Sequence, residues 1–295
     1  MLDAWGDHPA VRATLAEASD ALGEDVAALI AQGPKEALDL TTNTQPVMLT
    51  AGVACWRAWL AESGQQPAVV AGHSLGEYAA LVAAGALTLG DALPLVRLRA
   101  QAMQDAVPVG TGGMAAILGM EAEAVKAGCA EAAAAVGEAV EAVNFNDPKQ
   151  TVIAGTKAAV EKACELLKAA GAKRALPLPV SAPFHSSLMK PAAERLKVRL
   201  AATAFATPVI PVLNNIDVAA PTDADALRDA LYRQAFGPVR WVETILALKA
   251  RGITHVIECG PGKVLAGMVK RIDGDLIAAS LFDPASLQDV KGVLA

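Results

Sequence analysis

Residues 67–84, PAVVAGHSLGEYAALVAA, decide the fold that the sequence predicts. The apolar run Pro67–Ala71 is typical of a short strand that is buried on both faces, as in a parallel sheet. A turn bounded by Gly72 and Gly76 follows, and the apolar spacing predicts a helix over 75–84. A strand, a tight glycine turn and a helix in this order indicate an α/β fold.

The same turn contains the pattern G-x-S-x-G, with Ser74 at its centre. Its glycines let the chain turn sharply because they carry no Cβ. Between a strand and a helix, this turn exposes the serine at the carboxyl edge of the sheet. The N–H of Leu75 at the helix start could then donate to an oxyanion. This context favours Ser74 as a nucleophile over an ordinary glycine–serine turn.

A serine nucleophile needs a base, and the chain has four histidines. His8 lies near the N-terminus, and His255 lies within an apolar strand pattern. His73 adjoins Ser74 in the turn, so its side chain should point elsewhere. His185 lies in a loop, where catalytic groups are more common than in strand interiors. We therefore predict His185 as the general base.

The flanking sequence extends the α/β pattern. A helix is predicted over residues 8–32, and short apolar strands over 208–214 and 254–259, with further helices between them. Alternating strands and helices of this kind predict one parallel sheet between layers of helices. We expect a hydrolase-like parallel-sheet core formed by residues 1–108 and 181–295.

Residues 109–180 follow a different order. Strand patterns alternate with two helical patterns; strands are predicted at 113–119, 138–144, 150–154 and 174–180, and helices at 121–135 and 156–170. The resulting order, β-α-β-β-α-β, is that of a split βαβ or ferredoxin-like unit. We therefore expect an inserted, small ferredoxin-like subdomain.

Composition excludes several classes of protein. The chain has 295 residues, 54% of them hydrophobic, and a net charge of −6 without a basic stripe, which argues against nucleic-acid binding. Its cysteines are too dispersed for metal-ligand spacing and fit a reducing cytoplasm; they are Cys55, Cys129, Cys164 and Cys259. The longest apolar run, 79–89, is shorter than the ~18 residues that span a bilayer. We expect a cytoplasmic monomer without nucleic-acid or membrane partners.

Five stretches resemble the malonyl-CoA:acyl carrier protein transacylases of bacterial fatty-acid synthesis. They are GHSLGEYAAL (72–81), GTGGMAAILG (110–119), NFNDPKQTVIAG (144–155), SAPFHSSLM (181–189) and ECGPGKVLAGMVKRI (258–272). They occur in the family's order, and the resemblance extends over essentially the whole chain. Acyltransferase domains of polyketide synthases share the turn around Ser74, called the nucleophile elbow, and the loop around His185, called the histidine loop. A free-standing chain with GHSLGEY fits the bacterial transacylases better.

The resemblance implies an activity and a set of roles. A malonyl group passes from malonyl-CoA to Ser74, and then to the phosphopantetheine thiol of acyl carrier protein. His185 is the base, and the backbone carbonyl of Gln234 orients it. The N–H of Leu75 supports the oxyanion, and His73 is expected to contact the substrate. No metal or redox cofactor is expected, because one thioester is exchanged for another.

The family also has an arginine, one helix after the elbow, that binds the malonyl carboxylate. Arg97 and Arg99 both lie there, roughly 200° apart around a helix, so only one can face the site. The resemblance assigns this role to Arg99 and makes Arg97 a surface charge.

One departure from the family keeps two other functions open. The family opens with a strand and a G-Q-G-S-Q loop that supplies a second oxyanion donor, and this sequence has no such segment. Loss of one donor costs ~10²–10³ in rate. A serine hydrolase or thioesterase would use the same elbow with water as acceptor. A weakened subunit that binds acyl groups or the carrier protein would not need full catalysis.

Overall fold

The computed structural model describes residues 1–180 and 182–295. Its N-terminal part is helical and comprises α1 (Pro9–Leu22), α2 (Val26–Gln32), α3 (Lys35–Leu38) and α4 (Thr41–Ser63). The single helix predicted over 8–32 is wrong. Gly23 adopts a left-handed conformation that ends α1, and its N–H donates to the carbonyl of Ser19. Asp25 then caps α2 by accepting from the N–H of Ala28.

The turn around Ser74 has the predicted strand–turn–helix context. The strand β1 (Val70–Ala71) precedes it, and α5 (Gly76–Ala83) and α6 (Leu89–Asp105) follow. Gly72 is required here because a Cβ at this position would lie 1.9 Å from the backbone of Gly76. Ser74 itself has φ 52, a left-handed conformation that is uncommon for a residue with a side chain.

The middle of the chain forms a four-stranded antiparallel sheet. Its elements, in order, are β2 (Gly112–Leu118), α7 (Ala122–Val136), β3 (Val140–Asp147), β4 (Gln150–Thr156), α8 (Lys157–Ala169) and β5 (Arg174–Pro177). This is the predicted β-α-β-β-α-β order, and the spatial order is β3-β4-β2-β5. A separate hydrophobic cluster, including Ile117, Val125, Ile153 and Leu167, lies between the sheet and its two helices.

The C-terminal part alternates helices and strands. It comprises α9 (Lys190–Ala202), β6 (Val212–Leu213), α10 (Ala224–Gln234), α11 (Trp241–Ala250), β7 (His255–Cys259), α12 (Val264–Ile272), β8 (Ile277–Leu281) and α13 (Pro284–Leu294). The largest hydrophobic cluster involves α4, α6 and α9 and includes Leu49, Leu93 and Leu196. No helix in the described part of the chain is long and apolar enough to cross a membrane.

The predicted α/β class is confirmed, but a single continuous parallel sheet is not observed. β1 pairs in parallel with β6, and β7 pairs in parallel with β8; the two pairs are not hydrogen-bonded to each other. An apolar cleft of about 530 Å³ lies between them, lined by Val70, Trp56, Val256 and Trp241 among others. The strand predicted at 67–71 is also half-buried rather than buried on both faces.

The antiparallel sheet is joined to the rest of the molecule at its β3–β4 hairpin. Phe145 donates its N–H to the carbonyl of Val239, whose own N–H donates to Val143. Arg271 forms an ion pair with Asp147 at 2.7 Å. These contacts hold the hairpin beside the turn that carries Ser74.

Candidate active site

Ser74 lies just beyond the carboxyl end of β1, at the start of α5. Its Oγ is 2.6 Å from Nε2 of His185 and accepts a hydrogen bond from Nη2 of Arg99 at 3.1 Å. Three residues that are far apart in sequence therefore converge on one oxygen atom. The sequence predicted all three side chains for this site.

His185 is buried, and both of its ring nitrogens have partners. Nδ1 is 2.9 Å from the backbone carbonyl of Gln234, to which it can only donate. The neutral ring then leaves Nε2 as the acceptor for the hydroxyl proton of Ser74. Burial, and next the charge on Arg99, lower the pKa of His185 to about 3. At neutral pH the imidazole is therefore uncharged and able to take a proton.

Arg99 is also buried, with only 2% of its surface exposed. Nη1 donates to Oε1 of Gln45 at 2.7 Å, and Nη2 donates to Oε1 of Gln234 at 3.2 Å. Both partners are neutral amides, and no carboxylate in the described residues forms an ion pair with this guanidinium. Arg97 instead donates to both carboxylate oxygens of Glu24, at 2.6 and 2.9 Å. The structure thus brings Arg99, and not Arg97, to the nucleophile.

The two residues that flank Ser74 are placed differently. The N–H of Leu75 has no hydrogen-bond acceptor among the residues that the structure describes. His73 turns toward the β3–β4 hairpin, where its Nε2 is 2.8 Å from Oδ1 of Asn146. Its ring also packs edge-on against Trp241, and burial lowers its pKa. As predicted, His73 points away from the nucleophile.

The other two histidines lie outside this site. His8 is 3.6 Å from a carboxylate oxygen of Glu62, and Nδ1 of His255 is 2.9 Å from Oγ1 of Thr254. Neither contacts Ser74. In the histidine loop, Ser181 lies outside the described residues, and the description resumes at Ala182.

The sequence did not predict the buried polar residues around this site. The amide of Asn215 bonds to the backbone on both sides of His73, and Gln45 supports the arginine. Glu77, in the first turn of α5, accepts from the backbone N–H of Asn215 at 2.8 Å and from Nε2 of Gln234 at 2.9 Å. Burial raises the pKa of Glu77 to about 7.

One signal could have identified Asn215. It follows the strand predicted at 208–214, and polar side chains at the carboxyl ends of parallel strands commonly face a shared site. Glu77 belongs to the same motif as Ser74, but its helical position gave no indication of its burial. Gln45 carried no comparable signal.

Comparison with known proteins places this geometry in a family. The model of the family described as "Acyl transferase domain" matches residues 4–273. The malonyl CoA-acyl carrier protein transacylase of Salmonella typhimurium is 54% identical over 281 residues, which cover 95% of this chain and 90% of that protein. The Bacillus subtilis protein of the same name is 46% identical over 95% of this chain and 88% of its own length.

Solved structures of similar fold carry the same kind of name. An acyl-carrier-protein S-malonyltransferase from Burkholderia pseudomallei has a TM-score of 0.96 and 65% identity, covering 98% of this chain and 94% of that one. A malonyl-transacylase in complex with its type II polyketide synthase acyl-carrier protein has a TM-score of 0.93 and 51% identity, covering 95% and 90%. The chain therefore belongs to the acyl transferase domain family and is similar to its malonyl CoA-acyl carrier protein transacylases.

Proposed function

We propose that this chain is an [acyl-carrier-protein] S-malonyltransferase, which transfers malonyl from malonyl-CoA to acyl carrier protein in fatty-acid biosynthesis. One observation carries the proposal: Oγ of Ser74 is 2.6 Å from a neutral His185 and 3.1 Å from a buried Arg99. A nucleophile, a base and a fixed cation in one site suit an acyl group that ends in a carboxylate. The similarity to named transacylases supports the same function.

In the first step, Nε2 of His185 takes the hydroxyl proton as Oγ of Ser74 attacks the malonyl thioester carbonyl. The resulting oxyanion accepts a hydrogen bond from the N–H of Leu75 at the start of α5. As the intermediate collapses, the carbon–sulfur bond breaks and the CoA sulfur takes the proton from His185. The product is malonyl-Ser74.

The second step reverses the first with a different thiol. The phosphopantetheine thiol of the carrier protein gives its proton to His185 and attacks the malonyl ester. The ester bond breaks, and Ser74 recovers its proton from the imidazolium. The carbonyl of Gln234 keeps the ring in the required tautomer during both steps. The two half-reactions produce ping-pong kinetics.

Arg99 supplies the selectivity. Gln45 and Gln234 hold its guanidinium through neutral oxygens, so the charge is available to a substrate carboxylate. A planar guanidinium fork matches a carboxylate in a bidentate pair. Malonyl offers this group and acetyl does not, so the pair selects malonyl. His73 is the neighbouring substrate contact in this proposal.

The division of the chain belongs to the same proposal. Residues 109–180 form a small ferredoxin-like subdomain, inserted into a hydrolase-like core of residues 1–108 and 181–295. The separate hydrophobic cluster beneath the antiparallel sheet supports this division. The protein acts as a cytoplasmic monomer.

Intact-mass measurement tests the proposed function. Malonylation of a hydroxyl adds about 86 Da, so malonyl-CoA should produce one such adduct, and holo-acyl carrier protein should remove it. The Ser74→Ala variant should show no adduct. Repeated turnover of malonyl-CoA without any thiol acceptor, beyond the one equivalent that forms the adduct, would indicate a hydrolase instead. Carrier-protein binding without an adduct would indicate a binding subunit.

A further inference from the structure

Asn215 connects the two ends of the turn that presents the nucleophile. It lies in the loop after β6 and is fully buried. Its Oδ1 accepts from the N–H of Ser74 at 2.6 Å, and its Nδ2 donates to the carbonyl of Gly72 at 2.7 Å. One amide side chain thus binds a backbone acceptor and a backbone donor on either side of His73.

The turn needs such a support because its conformation is strained. Ser74 has φ 52, and left-handed conformations of this kind persist in a residue with a side chain only where the surrounding structure fixes them. The position of Oγ depends directly on this backbone. A small relaxation would move it from Nε2 of His185, which now lies at 2.6 Å.

Asn215 is itself held by the buried network. Its backbone N–H donates to Oε2 of Glu77, which also accepts from Nε2 of Gln234. The same Nε2 donates to the carbonyl of Ser74 at 3.0 Å. Both backbone polar groups of the nucleophile are therefore fixed by side chains from other elements.

We propose that Asn215 is a positioning residue for acylation, which holds Oγ of Ser74 in line with the base. The inference rests on the proposed function, since it concerns the rate at which malonyl-Ser74 forms. Asparagine suits the position because the contact needs one donor and one acceptor in a single planar group. In the described part of the chain, Asn215 forms no hydrogen bond with Oγ of Ser74, with His185 or with Arg99.

The test compares Asn215→Ala with Asn214→Ala. Asn214 is also buried, and its Oδ1 accepts from the N–H of Asp217 at 2.8 Å, away from the turn. The measurements are the single-turnover rate of adduct formation at saturating malonyl-CoA, KM and the thermal midpoint. Asn215→Ala should slow adduct formation about 10- to 100-fold with little change in KM, because small misplacements of a nucleophile have effects of this size. Asn214→Ala should retain the wild-type rate.

A second variant keeps the inference testable if Asn215→Ala does not fold. In Asn215→Asp, the protonated carboxyl group presents one donor and one acceptor, as the amide does, whereas the ionised group presents acceptors only. The charged and titratable groups on the elements packed around this position are Glu77, which accepts from the N–H of Asn215, and Arg240, whose N–H donates to the carbonyl of Asn215. The others are His73 in the turn itself, and His185, Arg99 and Asp217 close by. Relative to wild type at each pH, the Asn215→Asp rate should fall as the pH rises.

Three results would overturn the inference. These are equal slowing in Asn214→Ala and Asn215→Ala, a raised KM with an unchanged rate in Asn215→Ala, or a relative rate of Asn215→Asp that does not change with pH. Failure of the proposed function is distinguishable, because wild type itself would then form no adduct.

Discussion

The region around Ser74 and the antiparallel sheet of residues 112–177 are built in opposite ways. Near the nucleophile, β1 is only two residues long, and Ser74 and His185 both have positive φ. In the antiparallel sheet, β2 and β4 pair without a break over seven residues each, and positive φ occurs only at glycines. Backbone strain and buried polar groups are thus concentrated around Ser74, where the chemistry is proposed, whereas regular backbone hydrogen bonds stabilise the antiparallel sheet.

The two regions meet at the β3–β4 hairpin, where Asn146 contacts His73. We therefore expect the region around Ser74 to determine the reaction rate and the antiparallel sheet to contribute mainly to stability. Changes near Ser74 should alter rates more than stability, and changes within the antiparallel sheet should alter stability at a constant rate.

The largest effect is expected from Ser74→Ala. The substitution removes the oxygen that forms the covalent bond, so the malonyl adduct and the transfer reaction should both be lost. The free energy of unfolding should change little, because only one oxygen atom is removed. Mass spectrometry and chemical denaturation check the two statements. Labelling at the wild-type rate in this variant would place the nucleophile elsewhere.

His185→Ala should slow acylation by about 10²–10⁴, the range for loss of a general base. Single-turnover kinetics with malonyl-CoA measure this rate. His255→Ala is the matched control, because His255 bonds only to neighbouring Thr254 among the described side chains and should leave the rate unchanged. A larger loss in His255→Ala at equal stability would contradict the assignment of the base.

Arg99→Ala should reduce malonyl transfer strongly and acetyl transfer little. Removing the buried partner of the malonyl carboxylate costs about 3–5 kcal/mol. Acetyl carries no carboxylate, so its transfer does not depend on this pair. The control is Arg97→Ala, in which only the pair with Glu24 is removed. The ratio of kcat/KM for malonyl-CoA to that for acetyl-CoA, measured in each variant, shows whether Arg99 selects malonyl. An equal loss for both substrates would make Arg99 a structural residue.

The sequence predicted the antiparallel region well because its signals are local. The predicted strands span five to seven residues, although β5 ends at Pro177 rather than at the predicted residue 180. Glycines such as Gly119 and Gly137 mark the ends of elements. The parallel strands β1 and β6 were predicted too long, since only Val70–Ala71 and Val212–Leu213 of the runs 67–71 and 208–214 pair, whereas β7 follows the predicted strand 254–259 closely. An apolar run reports burial, but pairing depends on where the partner strand lies.

The site was predicted unevenly for a related reason. Ser74 followed from a motif and His185 from elimination among four histidines, whereas the choice of Arg99 depended on a family resemblance. Glu77, Asn215 and Gln45 were missed because their contacts join residues up to 157 positions apart. Such contacts exist only after tertiary packing, and the residue types alone do not indicate them.

Acid sensitivity should separate the two regions. His185 has a pKa of about 3 in the folded protein, below its ordinary value of 6.5. The unfolded state therefore binds more protons between these values, and stability falls as the pH falls through this window. Glu77 acts in the opposite direction, because its raised pKa of about 7 favours the folded state on acidification above pH 4.5.

A comparison with His185→Gln isolates the histidine, because Glu77 is present in both proteins. Between pH 7 and pH 5, wild type should lose about 2 kcal/mol more than His185→Gln in the free energy of unfolding. Urea denaturation at both pH values measures this difference. His185 contacts Ser74 in the turn before α5, whereas residues 112–177 contain no histidine, so amide exchange in residues 112–177 should lose less protection than in the turn around Ser74. An equal loss of stability in the two proteins would contradict the buried neutral state of His185.

The smallest effect on rate is expected from Gly155→Ala in the antiparallel sheet. A Cβ at this position would lie 2.1 Å from the carbonyl oxygen of Ala139, so the backbone must shift, at a cost of about 1–3 kcal/mol. Gly113 is paired directly with Gly155 and is the control, since the nearest atom to its added Cβ is 3.8 Å away. Gly113→Ala should keep wild-type stability or gain slightly. Thermal denaturation and kcat/KM, measured where both variants are folded, should show a lower midpoint for Gly155→Ala and the same rate for both. If Gly155→Ala slows malonyl transfer while folded, the β3–β4 hairpin transmits strain to His73 and the division between the two regions fails.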